Sequence, residues 1–214
     1  MHLVLLGDSV FDNGAYVHGS PDVRAQVAAQ LQGPSVVTLL ARDGAVIADV
    51  HQQLSAVPSG ATHVVISAGG NDALRASSLL DAPVSSVSGA LSTLNVFASR
   101  FAHDYHALLD KAVRAKLPVA VCSIYEPRYP LPYRGIASTA LTLLNDVITR
   151  AAFARRLTLI DLRVIFDTDD DFANPIEPSS KGGAKIANAI AQFTDGSQSS
   201  AVITNADSSR RREQ

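Results

Sequence analysis

Apolar residues in this chain come in short unbroken runs rather than in strict alternation with polar ones. His2-Leu3-Val4-Leu5-Leu6 is the first, and residues 36–41, 63–68, 118–124 and 157–161 follow. A strand apolar on both sides must be covered on both faces, which is the situation of a parallel strand held between helical layers. Between these runs the spacing lengthens to a helical one, near residues 21–32, 46–55, 86–116, 136–156 and 179–194. Pro21 after Ser20 suits a first helical turn, and Asp22 suits the positive end of the helix dipole. Strands alternating with helices predict βαβ crossovers, and hence an α/β three-layer sandwich around a central parallel sheet of about five strands.

Two loops interrupt the alternation. Residues 125–135 carry three prolines and three tyrosines, and residues 166–182 carry four aspartates. Both follow the C-terminal ends of strands, where open α/β sheets place their ligands. From about residue 195 the chain turns to Ser, Asp, Gln and Arg. One folded domain over 1–195, followed by a disordered tail over 196–214, is therefore expected.

Composition narrows the choices. The chain is 47% hydrophobic and 18% charged with a formal net charge of -2, as in an ordinary globular protein, and its Lys and Arg are scattered. No nucleic-acid footprint is present, and Arg210-Arg211-Arg212 reads as a solvated end. The single cysteine, Cys122, lies in an apolar run and reads as a core residue. No segment reaches the ~18 apolar residues of a membrane span. The first strand starts at residue 2 without a secretory pattern before it, so a cytoplasmic location is expected. Nothing in the pattern specifies an oligomeric state.

The chemistry gathers at strand ends. The first strand runs into Gly7-Asp8-Ser9-Val10-Phe11-Asp12-Asn13-Gly14, and the third into Gly69-Gly70-Asn71-Asp72. Taken singly, Ser9 reads equally as a turn cap, and Asn71 or Asp72 as a helix N-cap. Taken together, in this order and after alternate strands, they resemble the GDSL (SGNH) hydrolase superfamily, and the likeness runs from the first strand to the last helix near 194. The resemblance implies a flavodoxin-like fold, an esterase, lipase, thioesterase or deacetylase activity on a small-molecule ester or acyl substrate, and no cofactor. It makes Ser9 the nucleophile, and it makes the Ser9 N–H, the Gly44 N–H and the Asn71 side chain the oxyanion donors. Each such donor is typically worth roughly 3–4 kcal/mol in acyl transfer.

The last block departs from the family pattern. Where the family has Asp-x-x-His-Pro, this chain has Asn174-Pro175-Ile176-Glu177-Pro178. Glu177 then stands as the substitute base, weaker in its ordinary state (pKa ~4.3 against ~6.5 for imidazole), and burial among apolar residues would raise it. Asn174 is expected to orient its carboxylate as a neutral donor. Other readings stay open. His18 is the histidine nearest Ser9 in sequence, His63 starts a strand at the far end, and His103 and His106 sit on the long helix. A silent relative would bind an acyl or sugar ligand, and Asp8, Asp12, Asp43, Asp72 and Glu177 could surround a divalent cation in a phosphoesterase. Asp8, Asp12, Tyr125 and Arg128 are the expected substrate contacts, with Tyr129, Tyr133 and Arg134 beside them. The same loop reads equally as a surface segment stiffened by Pro127, Pro130 and Pro132.

Overall fold

The computed structural model describes residues 1–196, so the tail expected to be disordered lies outside the described residues. Five strands form one all-parallel sheet: β1 (His2–Leu6), β2 (Val36–Leu39), β3 (His63–Ile66), β4 (Val119–Cys122) and β5 (Thr158–Ile160). Their order is β2-β1-β3-β4-β5. Leu3 is in register with Val37 on one side and His63 on the other. The helices are α1 (Val23–Gln30), α2 (Ile47–Gln53), α3 (Gly70–Arg75), α4 (Val87–Arg114), α5 (Tyr133–Ala154), α6 (Leu162–Ile165) and α7 (Ser180–Thr194).

Alternation along each strand divides the core in two. Val4, Leu6, Val64, Ile66 and Val121 pack against α2, α4 and α5. Leu3, Leu5, Val65, Ala120 and Cys122 pack against α1 and α7. Both faces are covered, which is why the strands read as continuous apolar runs. Cys122 is buried and free, as expected. No helix among the described residues is long and apolar enough to cross a membrane.

Three local features position the site. Gly69 at φ +115° caps α3, so Asn71 and Asp72 lie inside its first turn rather than at the cap. Helix α4 starts at Ser86, whose hydroxyl accepts the Gly89 N–H. Its 28 residues make it about 42 Å long, several times the length of a four-residue strand, so part of it must overhang the sheet. Val87, Leu91, Leu94, Ala98, Phe101 and Tyr105 form one apolar stripe along it at helical spacing. The inner end of that stripe is buried, whereas Val87 and Leu91 are 77% and 59% exposed. Helix α7 starts at Ser179, whose hydroxyl accepts the Lys181 and Gly182 N–H groups. A Cβ on Gly182 would lie 2.2 Å from the Asp171 carbonyl oxygen, so this glycine lets the helix begin directly beneath the preceding loop.

Candidate active site

Chain order reverses at β1, whose neighbours are β2 and β3. A crevice outside the C-terminal ends of the strands follows at such a point. Gly7 closes β1 at φ +145°, and a Cβ there would sit 2.3 Å from the Ser67 carbonyl oxygen beyond β3. Only glycine permits that approach. Gln53 brackets the same peptide: the Gly7 N–H donates to Gln53 Oε1 at 2.7 Å, and Gln53 Nε2 donates to the Gly7 carbonyl at 2.9 Å. The chain then turns tightly, with the Phe11 and Asp12 N–H groups donating to the Asp8 carbonyl at 3.1 and 3.0 Å. Ser9 is left 7% exposed at the crevice.

Glu177 meets Ser9 there. Both residues line the same crevice. Glu177 is 6% exposed, and its Oε2 finds no hydrogen-bond partner among the described residues. Burial raises its pKa, the neighbouring Ser9 hydroxyl opposes the rise, and the charge on Asp43 adds to it. The loop carrying Glu177 is fastened through its main chain. Asn174 Oδ1 accepts the Ile176 and Glu177 N–H groups, each at 3.0 Å. The Ala173 N–H donates to the Glu177 carbonyl at 2.8 Å, and the Arg128 N–H to Pro175 at 2.7 Å. The Tyr125 hydroxyl donates to the Ile176 carbonyl at 2.5 Å. Asn174 therefore positions Glu177 through the backbone, which corrects the expected bond from its amide to the carboxylate. Its spacing from Ile176 and Glu177 makes it a turn-former.

Asp8 lies beside Ser9 at the crevice, as expected, but it is buried. Its Oδ1 accepts the Ser67 hydroxyl at 3.1 Å and the Val10 N–H at 3.2 Å. Burial pushes its pKa up to about 7 against these donors. Asp12 is displaced from its expected role. It does not border the cleft, and its Oδ2 accepts the Asp43 N–H at 2.9 Å, tying the Gly44 loop to the turn that carries Ser9. Gly44 stands at φ +77° in that loop. Asn71 Nδ2 donates to the Ala45 carbonyl at 3.1 Å, so the side chain of Asn71 is coupled to the Gly44 loop.

The histidines lie elsewhere. None borders the cleft, and His18, His103 and His106 are exposed. The carboxylates weighed as a cation set are engaged separately: Asp43 with the Tyr16 hydroxyl at 2.6 Å, Asp72 with the Ile47 N–H at 3.1 Å. Among the described residues they form no group of three placed to hold a metal.

From Ser9, Asn71 and Glu177 a cleft of about 180 Å³ runs outward between α3, α4 and α5. Leu74, Leu94, Phe97, Leu141, Leu144 and Ile176 are among its walls, and Tyr125, Tyr129 and Tyr133 also line it. Tyr125 is stacked on Phe166 at 4.8 Å, so its aromatic face is supported from behind. Arg128 is turned away, correcting its expected contact with substrate. Its Nε pairs with Asp169 at 2.9 Å, and its guanidinium covers Phe172 at 5.0 Å. Its neighbours Pro127 and Tyr129 face the cleft, whereas Arg128 itself locks the Glu177 loop from outside. The walls on α4 and α5 were missed as site residues, because their helical stripe reads as core until the overhang of α4 is known.

The sequence matches the model of the GDSL-like lipase/acylhydrolase family over residues 5–185, and the chain belongs to that family. Among curated proteins, none matches. Solved structures with the same fold include an extracellular lipase from Streptomyces rimosus, 21% identical, covering 92% of this chain and 100% of that one with a TM-score of 0.65. A phospholipase A1 from Streptomyces albidoflavus NA297 is 20% identical, covering 91% of this chain and 98% of that one at 0.65. The acetyl xylan esterase AlAXEase is 17% identical, covering 89% and 98% at 0.69.

Proposed function

We propose that this member of the GDSL-like lipase/acylhydrolase family is a serine ester hydrolase in which Glu177 does the work of the usual histidine. The carrying observation is that Ser9 and the buried Glu177 carboxylate line one crevice, near enough for the Ser9 hydroxyl to act on the carboxylate, whose Oε2 has no hydrogen-bond partner among the described residues. Ser9 Oγ attacks the ester carbonyl carbon while Glu177 takes its proton. The carbonyl oxygen becomes the oxyanion, held by the Ser9 N–H, the Gly44 N–H and the second hydrogen of Asn71 Nδ2, whose first is on Ala45. As the tetrahedral intermediate collapses, the bond to the leaving oxygen breaks and Glu177 returns its proton to that oxygen. Water then attacks the acyl-enzyme with Glu177 again as base, and the acid departs.

A glutamate at its ordinary pKa is a poor base for a hydroxyl. Burial raises the affinity of Glu177 for a proton, which brings it closer to the imidazole it replaces. The neutral Asn174 adds no second negative charge beside it, which a family aspartate at that position would.

The reading is tested by hydrolysis of short p-nitrophenyl esters by the wild type, Ser9→Ala and Glu177→Gln from about pH 5 to pH 9. Turnover is expected to vanish in Ser9→Ala and to fall about 10²- to 10⁴-fold in Glu177→Gln. Equal rates in wild type and Ser9→Ala would end the serine reading. Full activity in Glu177→Gln, with an acid limb near an ordinary imidazole value, would end the role of Glu177.

A further inference from the structure

The cleft is apolar well beyond what ester chemistry asks of its mouth. Ser9, Asn71 and Glu177 supply the polar groups at one end. Past them the lining becomes Leu94 and Ala98 on α4 and Ala137, Ala140, Leu141 and Leu144 on α5. The members of each set recur at three- and four-residue spacing, so each presents one face to the space between the two helices. The alanines leave that space open where larger residues would fill it. Beyond the lining, the stripe of α4 continues outward to Leu91 and Val87, which are 59% and 77% exposed. From Ala98 to Leu91 is seven residues, about 10 Å along the helix.

The geometry points to an unbranched acyl chain of about eight carbons as the occupant, with its carbonyl at Ser9 and its tail between α4 and α5. An extended chain advances about 1.2 Å per bond, so about eight bonds match that run. Leu94 and Ala140 are then the residues that set chain-length preference: Leu94 as a wall the tail lies on, Ala140 as the small side chain that leaves it room. This rests on Ser9 acting as the nucleophile. The acyl group, not the alcohol, takes the cleft, because the acyl group stays on Ser9 after the first step while the alcohol must leave to solvent past Glu177. Burying the tail in a preformed apolar channel is worth roughly a fourfold gain per fully buried methylene.

The experiment compares kcat/KM for p-nitrophenyl acetate, butyrate, octanoate and hexadecanoate, and separately for octyl acetate, in the wild type, Ala140→Trp and Leu94→Ala. In the wild type, kcat/KM is expected to rise at least about tenfold from acetate to octanoate and to gain little beyond it. Ala140→Trp, whose indole fills the channel, lowers the octanoate-to-acetate ratio about tenfold. Leu94→Ala, which removes wall contact and is chosen because it adds no bulk, lowers the same ratio several-fold. A flat or falling profile from acetate to octanoate overturns the inference, as does a ratio untouched in both variants. A preference that follows the alcohol chain of octyl acetate also overturns it. In each of those cases Ser9-dependent acetate hydrolysis leaves the serine reading standing, whereas hydrolysis that is indifferent to Ser9→Ala removes both.

Discussion

The two halves of the site are built by different means. The half that carries Ser9 is set by backbone geometry at the ends of β1, β2 and β3. Gly7 tolerates no side chain against Ser67, and Gln53 pins it from both sides. The half that carries Glu177 hangs on a loop between α6 and α7, held by bonds to its main chain and by ion pairs at its edge. Lys185 bridges Asp167 and Asp171, and Arg128 pairs with Asp169. In the first half the residue types are dictated by shape. In the second the bonds that hold the loop run to its main chain. The motif around Ser9 is therefore close to what geometry demands, whereas the hold on the Glu177 loop does not depend on the carboxylate itself.

Substitutions in each half sharpen this contrast. The largest effect is expected for Ser9→Ala, a loss of about 10⁴-fold or more in kcat with the melting temperature unchanged, measured by ester hydrolysis and thermal denaturation. Glu177→Gln follows, and its pH profile carries the diagnosis. A protonated carboxyl cannot accept the Ser9 proton, so wild-type kcat/KM falls as pH drops through the pKa of Glu177. Burial raises that pKa, so the acid limb lies above the ordinary glutamate value and disappears in the variant. A limb that survives in Glu177→Gln would assign the base elsewhere.

Gly7→Ala tests the rigidity of the half that carries Ser9. A Cβ 2.3 Å from a backbone oxygen, at φ +145°, is expected to cost about 4 kcal/mol or more, read as a large drop in the urea midpoint. Asp8→Asn is expected to stabilise. The folded state raises Asp8 from 3.8 to about 7, so it binds a proton that the unfolded chain releases. Below pH 3.8 both states are protonated and the substitution changes little; through the window up to about 7 the wild type loses stability, and above it the whole burden is present. The gain at pH 8 is at most about 4 kcal/mol, read as a rise in melting temperature that fades on acidification. Asn174→Ala is the smallest: about 1 kcal/mol of stability and a modest drop in kcat, because only two bonds to the main chain are lost. A loss as large as that of Glu177→Gln would mean that the loop is less self-supporting than its other bonds imply.

Much of this was legible from the order of residues. All five strands stand within a few residues of where the apolar runs put them, because a strand covered on both faces leaves an unmistakable run. Ser9 and Asn71 follow from glycine-flanked turns at strand ends. Helices α3 and α6, of six and four residues, were not legible, being too short to establish a helical period. Arg128 and Asp12 were read as substrate contacts because their real partners, Asp169 with Phe172 and the Asp43 N–H, are distant in sequence. The roles of Leu94 and Ala140 depend on where α4 outruns the sheet, which no local pattern reveals.

The way Asn174 is bonded has a consequence for substitution at residue 177. Its side chain serves the main chain of its own turn, and the peptide groups around Glu177 are satisfied by Asn174 and Ala173. Apart from Ser9, nothing in the loop requires a carboxylate at residue 177. In the proposed mechanism the loop acts as a socket for the proton acceptor. Exchanging that acceptor over an unaltered Ser9 would then shift the acidity range of hydrolysis by one substitution, without rebuilding the fold.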